Sequence, residues 1–213
     1  KDAALRDRLL SLQPAMAALW GGLAGAVDAF MAHPTRRTPL GPLWMGRHAF
    51  AALAPVMRRH VLAFVCRAFN PGRHAPSKDA LDALSTHLGQ GAGGHTLAGL
   101  LWRAPPKSDR LWVGREARAV EKAVKIAPGQ TVIWDRQWRI DGGEEGATVG
   151  AINDRPNDQQ FEMIEKTGVP KPYWQALGCL ERPGCGAQWV GMAGPRSRPV
   201  WPRSALKLPI ALF

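Results

Sequence analysis

Between His48 and Phe69 apolar side chains return every three or four residues (Phe50, Leu53, Ala54, Met57, Val61, Phe64, Val65, Ala68), and that period draws one stripe along the side of an α-helix. Pro55 is expected to kink it. On the helical wheel Arg59 lies opposite the stripe and Arg58 and Arg67 flank the polar side, so the three arginines are expected on one basic face, solvated or turned to phosphate. Upstream, "DAALRDRLLSL", Pro14 and an Ala-rich run read as one long or broken helix. Residues 33–47, "HPTRRTPLGPLWMGR", hold three prolines and two glycines and are expected to be a loop. Downstream, "NPGRHAP" is a turn, Ser77 an N-cap with Asp79 in the first helical turn, Leu81, Leu84 and Leu88 the buried side, and Gly89 the C-cap.

After the glycine-rich stretch 89–95 the apolar period switches from helical to alternating. "HTLAGLLWR" and "DRLWVGRE" read as strands joined through Pro105 to Ser108, and "TVIW" with "QWRI" as a second hairpin. "ARAVEKAVKIAPG" fits a short helix or an irregular connection, "EKTGVPKPYWQALGCL" holds a short helix, 182–203 is loop-rich, and "ALKLPIALF" fits a last strand. The expected fold class is α+β: a helical domain over 1–92, then a module of antiparallel hairpins with short helices over 93–213. The second hairpin is unusual. Its tip is Asp135-Arg136-Gln137 between Trp134 and Trp138, not Asn-Gly or Asp-Gly, so it is expected to display charge and aromatic surface together, although at least one tryptophan should pack onto its own sheet.

Charge sharpens the picture. Twenty-eight Lys and Arg against 17 Asp and Glu leave a net charge of +11, mostly from arginine, which predicts attraction to polyanions; an arginine-rich composition is the plain alternative. Three cysteines (Cys66, Cys179, Cys185) cannot all pair and lack CxxC spacing, which implies a reducing, cytoplasmic setting. The chain begins at Lys1 without a basic-then-apolar leader and is expected to be a portion of a longer protein. The stretch 14–32 carries one charge, Asp28, but consists mainly of Ala and Gly, so a buried helix is expected there, and no membrane partner. The chain has no Walker loop, His-Glu-x-x-His, GxSxG elbow or Cys/His set with metal spacing. No catalytic residue, no metal ligand and no cofactor is therefore assigned to it.

In order along the chain, "APVMRRHVLAFVCRAFNPGRHAPSKDALDALSTHL", "GGHTLAGLLWR", "LWVGREA" and "IAPGQTVIWDRQWRID" resemble the C-terminal half of tRNA(Ile)-lysidine synthase, particularly its alphaproteobacterial forms, over residues 50–141. The matching positions are Arg58 or Arg59 on the helix, Pro76-Ser77 at a helix start, Thr96-Leu97 with Gly99, Arg115-Glu116, and Trp134-Asp135. Ala98 stands where the family's first paired glycine would be, and Arg136-Gln137-Trp138 where Gly-Arg-Phe would be.

The resemblance implies that the parent enzyme is an ATP-dependent ligase. With ATP and magnesium it adenylates C2 of the wobble cytidine of isoleucine tRNA and joins lysine there. Its ATP site, with an "SGGxDS" loop, does not occur in these residues. This chain would then be the tRNA-holding portion, with Arg58, Arg59, Arg67, Arg103, Arg115, Arg136 and Arg139 as candidate tRNA contacts. Two other classes stay open: a protein-interaction or dimerisation module, with Trp189 and Trp201 at an interface and a homodimer as product, or a stand-alone, non-catalytic relative of the synthase.

Overall fold

The computed structural model describes residues 2–33, 35–91, 93–152, 158–184, 186–190 and 197–199. The chain is α+β, helices with antiparallel sheets. The best-patterned segment does form a helix, but as two pieces. Helix α2 (Arg47–Ala52) ends before Ala54, and α3 (Pro55–Phe69) starts with Pro55 in its first turn. The proline is thus an initiator rather than a kink, because its missing N–H falls where a helix has no partner for it. Helix α4 (Lys78–Gln90) is capped as expected, Ser77 Oγ accepting from the Ala80 N–H, but it ends on Gly91 in the left-handed region rather than on Gly89.

Residues 33–47 are not a loop. They form β1 (Thr35–Arg37) and β2 (Leu43–Gly46), paired antiparallel across a turn closed by the Thr38 N–H and hydroxyl, both donating to the Pro42 carbonyl at 2.8 Å. Pro39 and Pro42 fall in that turn and take no donor from the ladder, which is how a proline-dense stretch still pairs. Strand β2 then joins β5 (Arg110–Arg115), which pairs with β4 (Leu100–Arg103), and β4 with β3 (Gly94–Leu97), giving the order β1-β2-β5-β4-β3. One face of this sheet buries Leu43, Met45, Leu100, Trp102, Leu111 and Val113 against α3 and α4 in a single cluster. The expected boundary at 89–95 therefore does not divide two cores: the sheet and its core take residues from both sides, and 1–92 is not all-helical.

Beyond it, β6 (Val124–Ile126), β9 (Ala147–Ala151), β10 (Gly178–Arg182) and β11 (Gly186–Trp189) make a four-stranded sheet, and β7 (Thr131–Trp134), β8 (Trp138–Asp141) and β12 (Ser197–Pro199) a three-stranded one. They enclose a second core around Trp134, Trp138, Ile140, Val149 and Leu180. Helix α5 (Asp158–Thr167) and the 3-10 turn Lys171–Ala176 bring Ile164 and Tyr173 onto Trp112, on the other face of the first sheet. The segment "ALKLPIALF" lies outside the described residues.

Helix α1 (Asp2–Ala32) departs from expectation in burial. Among its described side chains only Val27 and Phe30 are buried, and Leu10, Leu12, Met16 and Leu19 are exposed. Its last turns pack into the first core beside α3, with Trp20 edge-on to His60. Leu10–Ala32 is long and apolar enough to cross a membrane by length and composition alone.

Two hairpin turns place ordinary residues in the left-handed region: Ala98 (φ 55°) ahead of Gly99, and Asp135 with Arg136 (φ 47° and 57°). A type I′ turn needs positive φ at both central residues, which a Cβ resists. Ala98→Gly and Arg136→Gly are each expected to stabilise the fold by about 0.5–1 kcal/mol, read as a higher urea midpoint at unchanged m. A midpoint at or below the parent's would show that these turns are not strained.

Candidate nucleic-acid interface

The tip of the β7–β8 hairpin does not display its charge. Asp135 and Gln137 are buried, as are Trp134 and Trp138, and only Arg136 is partly exposed. Asp135 is held by Arg115, from the end of β5: Nε donates to Oδ2 and Nη2 to Oδ1, each at 2.9 Å. The remaining groups of that guanidinium are also used, Nη1 donating to Asn70 Oδ1 at 2.9 Å and Nη2 to the Ala119 carbonyl at 2.6 Å. Gln137 Nε2 and the Glu121 N–H donate to the Asp135 carboxylate, and Arg37 Nη2 donates to Gln137 Oε1 at 3.2 Å. Asn70 in turn donates to the carbonyls of Cys66 and Ala98. One polar network thus ties the end of α3, the first sheet and the hairpin tip together. Burial pushes the Asp135 carboxyl above its usual range while Arg115 pulls it back, and burial alone lowers Arg37 to about 10. The adjoining void is about 20 Å³, room for one water and not for a ligand.

The seven expected contact arginines do not share one surface. Arg115 is spent on Asp135 inside the molecule, so reaching a phosphate would mean breaking a buried pair. Arg59 forks onto Asp82 of α4 at 2.8 and 3.1 Å, which holds the Asp82 carboxyl below its usual range. Arg67 shares that side of α3: burial first, then Arg59 and Arg67, lower the His60 pKa. Arg58, one residue before Arg59, turns about 100° away, and its Nε is enclosed with no hydrogen-bond partner, so the three do not form one basic face. Arg136 stands 3.6 Å from Glu121. Arg139 is exposed beside the exposed Ile133, its cross-strand partner. Arg103 is half-buried on the first sheet.

That sheet carries a pattern the sequence reading missed. Its five strands contain five arginines and no acidic residue. Register sends Arg37 and Arg115 to the inner face, and Arg36, Arg103 and Arg110 to the outer face with Trp44 and Trp112. Tyr173 covers Trp112, while Trp44 stays half-exposed under the Arg110 guanidinium, whose Cζ lies 4.7 Å from the ring centroid. Arg36 donates to the carbonyls of Ala32, His33 and Thr35, closing the end of α1. Arg103 and Arg110 make no ion pair with any described residue. The signal available beforehand was five strands' worth of arginine without a carboxylate, hidden because Trp44 sat in a stretch read as loop.

Among the described residues, no group of three or more His, Cys, Asp and Glu could hold a metal ion. Cys66 and Cys179 are free and buried, and burial pushes the Cys66 thiol up to about 12, far from a reactive thiolate. Trp189, expected at an interface, is buried beside Tyr173, and Trp201 lies outside the described residues. No family model, curated protein or solved structure matches the chain.

Proposed function

We propose that the chain is an RNA-binding module, the tRNA-holding portion of a tRNA(Ile)-lysidine synthase-type ligase, with isoleucine tRNA as its ligand and the ATP-dependent chemistry performed by a domain outside these residues. The observation that carries the RNA reading is the outer side of the first sheet's acid-free strands, where Arg103 and Arg110 have no ion-pair partner among the described residues, on a chain of net charge +11. The resemblance gains support from its own motifs: Arg115 of the "R-E" pair and Asp135 of the "W-D" hairpin, 20 residues apart, bond to each other. A second reading, a protein-interaction module, is favoured by the four exposed apolar side chains of α1.

Salt dependence separates the two, because phosphate contacts release counterions and apolar interfaces do not. The double variant Arg103→Gln/Arg110→Gln is expected to weaken tRNA binding and to flatten the slope of log affinity against log salt by about 1.4–1.8, with the thermal midpoint unchanged. A parent chain whose tRNA affinity is indifferent to salt, or a variant with the parent's slope, would favour the interaction module.

A further inference from the structure

Trp44 and Arg110 are diagonal neighbours on adjacent strands, β2 and β5, of a sheet whose described strands carry no acidic residue. The indole is half-exposed, and the guanidinium above it is exposed with no ion pair among the described residues. A buried Trp–Arg stack would be packing; a stack at the surface with an uncommitted cation is a replaceable cover. Arg36 is the register partner of Trp44 on β1, with its guanidinium turned back onto the carbonyls at the end of α1, so Arg110 is the cation on the ring.

We propose that Trp44 is a stacking platform for one unpaired nucleotide. The base takes the place of the guanidinium on the indole, and Arg110 turns to that nucleotide's phosphate. The inference rests on the RNA reading above and adds the kind of RNA feature recognised. A flat, electron-rich ring beside an exposed cation fits a ligand that is itself flat and anionic, and stacking on aromatics is how proteins hold bases splayed from single strands, loops or ends. Paired bases in a duplex stem are stacked on each other and offer this ring nothing, so strandedness is the discriminating variable. An acidic peptide would satisfy the arginines but leave the indole without a planar partner.

The test uses the full chain and fluorescence anisotropy with a labelled single-stranded RNA of about 12 nucleotides and a blunt RNA duplex of the same length. Trp44→Leu is expected to weaken single-strand binding by about 5- to 150-fold, leaving duplex binding and the salt slope near the parent's. Trp44→Phe should keep most of the affinity. Arg110→Glu, at an exposed position outside the buried cores, should abolish the single-strand preference even if Trp44→Leu fails to fold. Equal losses on both RNAs, or a folded Trp44→Leu or Arg110→Glu chain with the parent's single-strand preference, would overturn the platform. A parent chain that binds neither RNA sinks the RNA reading and the platform with it, whereas RNA binding indifferent to Trp44 sinks the platform alone.

Discussion

Asp135→Ala is expected to lower the unfolding free energy by about 3–5 kcal/mol, enough to cancel much of the stability of a domain this size. The loss does not come from the attraction between Asp135 and Arg115 taken alone, since two charges removed from water recover little net energy by pairing. It comes from what remains: a guanidinium 9% exposed, facing an empty position, with its Nε donor and one of the two Nη2 N–H groups unsatisfied, the other still held by the Ala119 carbonyl. The hairpin tip would also keep its left-handed backbone at positions 135 and 136 without the carboxylate that anchors it, held only by the backbone N–H bonds to Glu121 Oε2 and the Trp134 carbonyl. Chemical denaturation of the single variant, beside the double variant Asp135→Leu/Arg115→Met, separates these contributions. The double variant should recover most of the loss, because it removes both charges and leaves apolar volume. If Asp135→Ala unfolds at the parent's denaturant midpoint, the network is not what closes the hairpin onto the first sheet.

Tyr173→Ala is expected to cost about 3–5 kcal/mol, and Tyr173→Phe only about 1 kcal/mol. The ring is fully buried, its centroid 6.4 Å from that of Trp112, and its hydroxyl donates to the Leu101 carbonyl at 3.2 Å. It fits because Gly114 leaves room: a Cβ there would meet the Tyr173 ring at 2.8 Å. Tyr173 sits in the segment after α5 yet plugs the first sheet, so it couples the C-terminal part of the chain to the part around α3 and α4. Urea unfolding followed by tryptophan fluorescence and by far-ultraviolet circular dichroism should accordingly give one coincident transition, shifted as a whole in Tyr173→Ala. Two separated transitions, with the variant moving only one of them, would restore the picture of two independent units meeting near residue 92.

Rules of short range made parts of this chain legible without a structure. The apolar period of 48–69 and 81–88 implied helices, Ser77 with Asp79 marked a start, the alternation after residue 94 implied two hairpins, and together these implied α+β. Each of these depends on neighbours within about four residues, the reach of a helical turn or a tight hairpin.

What needed the tertiary structure depends on partners far along the chain. "PTRRTPLGPLW" has the composition of a loop, and it becomes two strands because β5, nearly 70 residues on, offers β2 an edge whose ladder avoids the prolines. Asp135 and Arg115 look like surface charges in any local window, and they are internal because each supplies what the other's burial requires. Arg58 and Arg59 are identical to a composition count, and the crossing of α3 with α4 gives Arg59 the Asp82 carboxylate while Arg58 is left with an enclosed, unpartnered Nε. Trp44 meets Arg110 only through strand register, 66 positions apart in sequence. Charge and aromaticity are properties of residues, but whether they face water, a ligand or each other is set by which elements pack together, and that is decided by the summed burial of the whole chain.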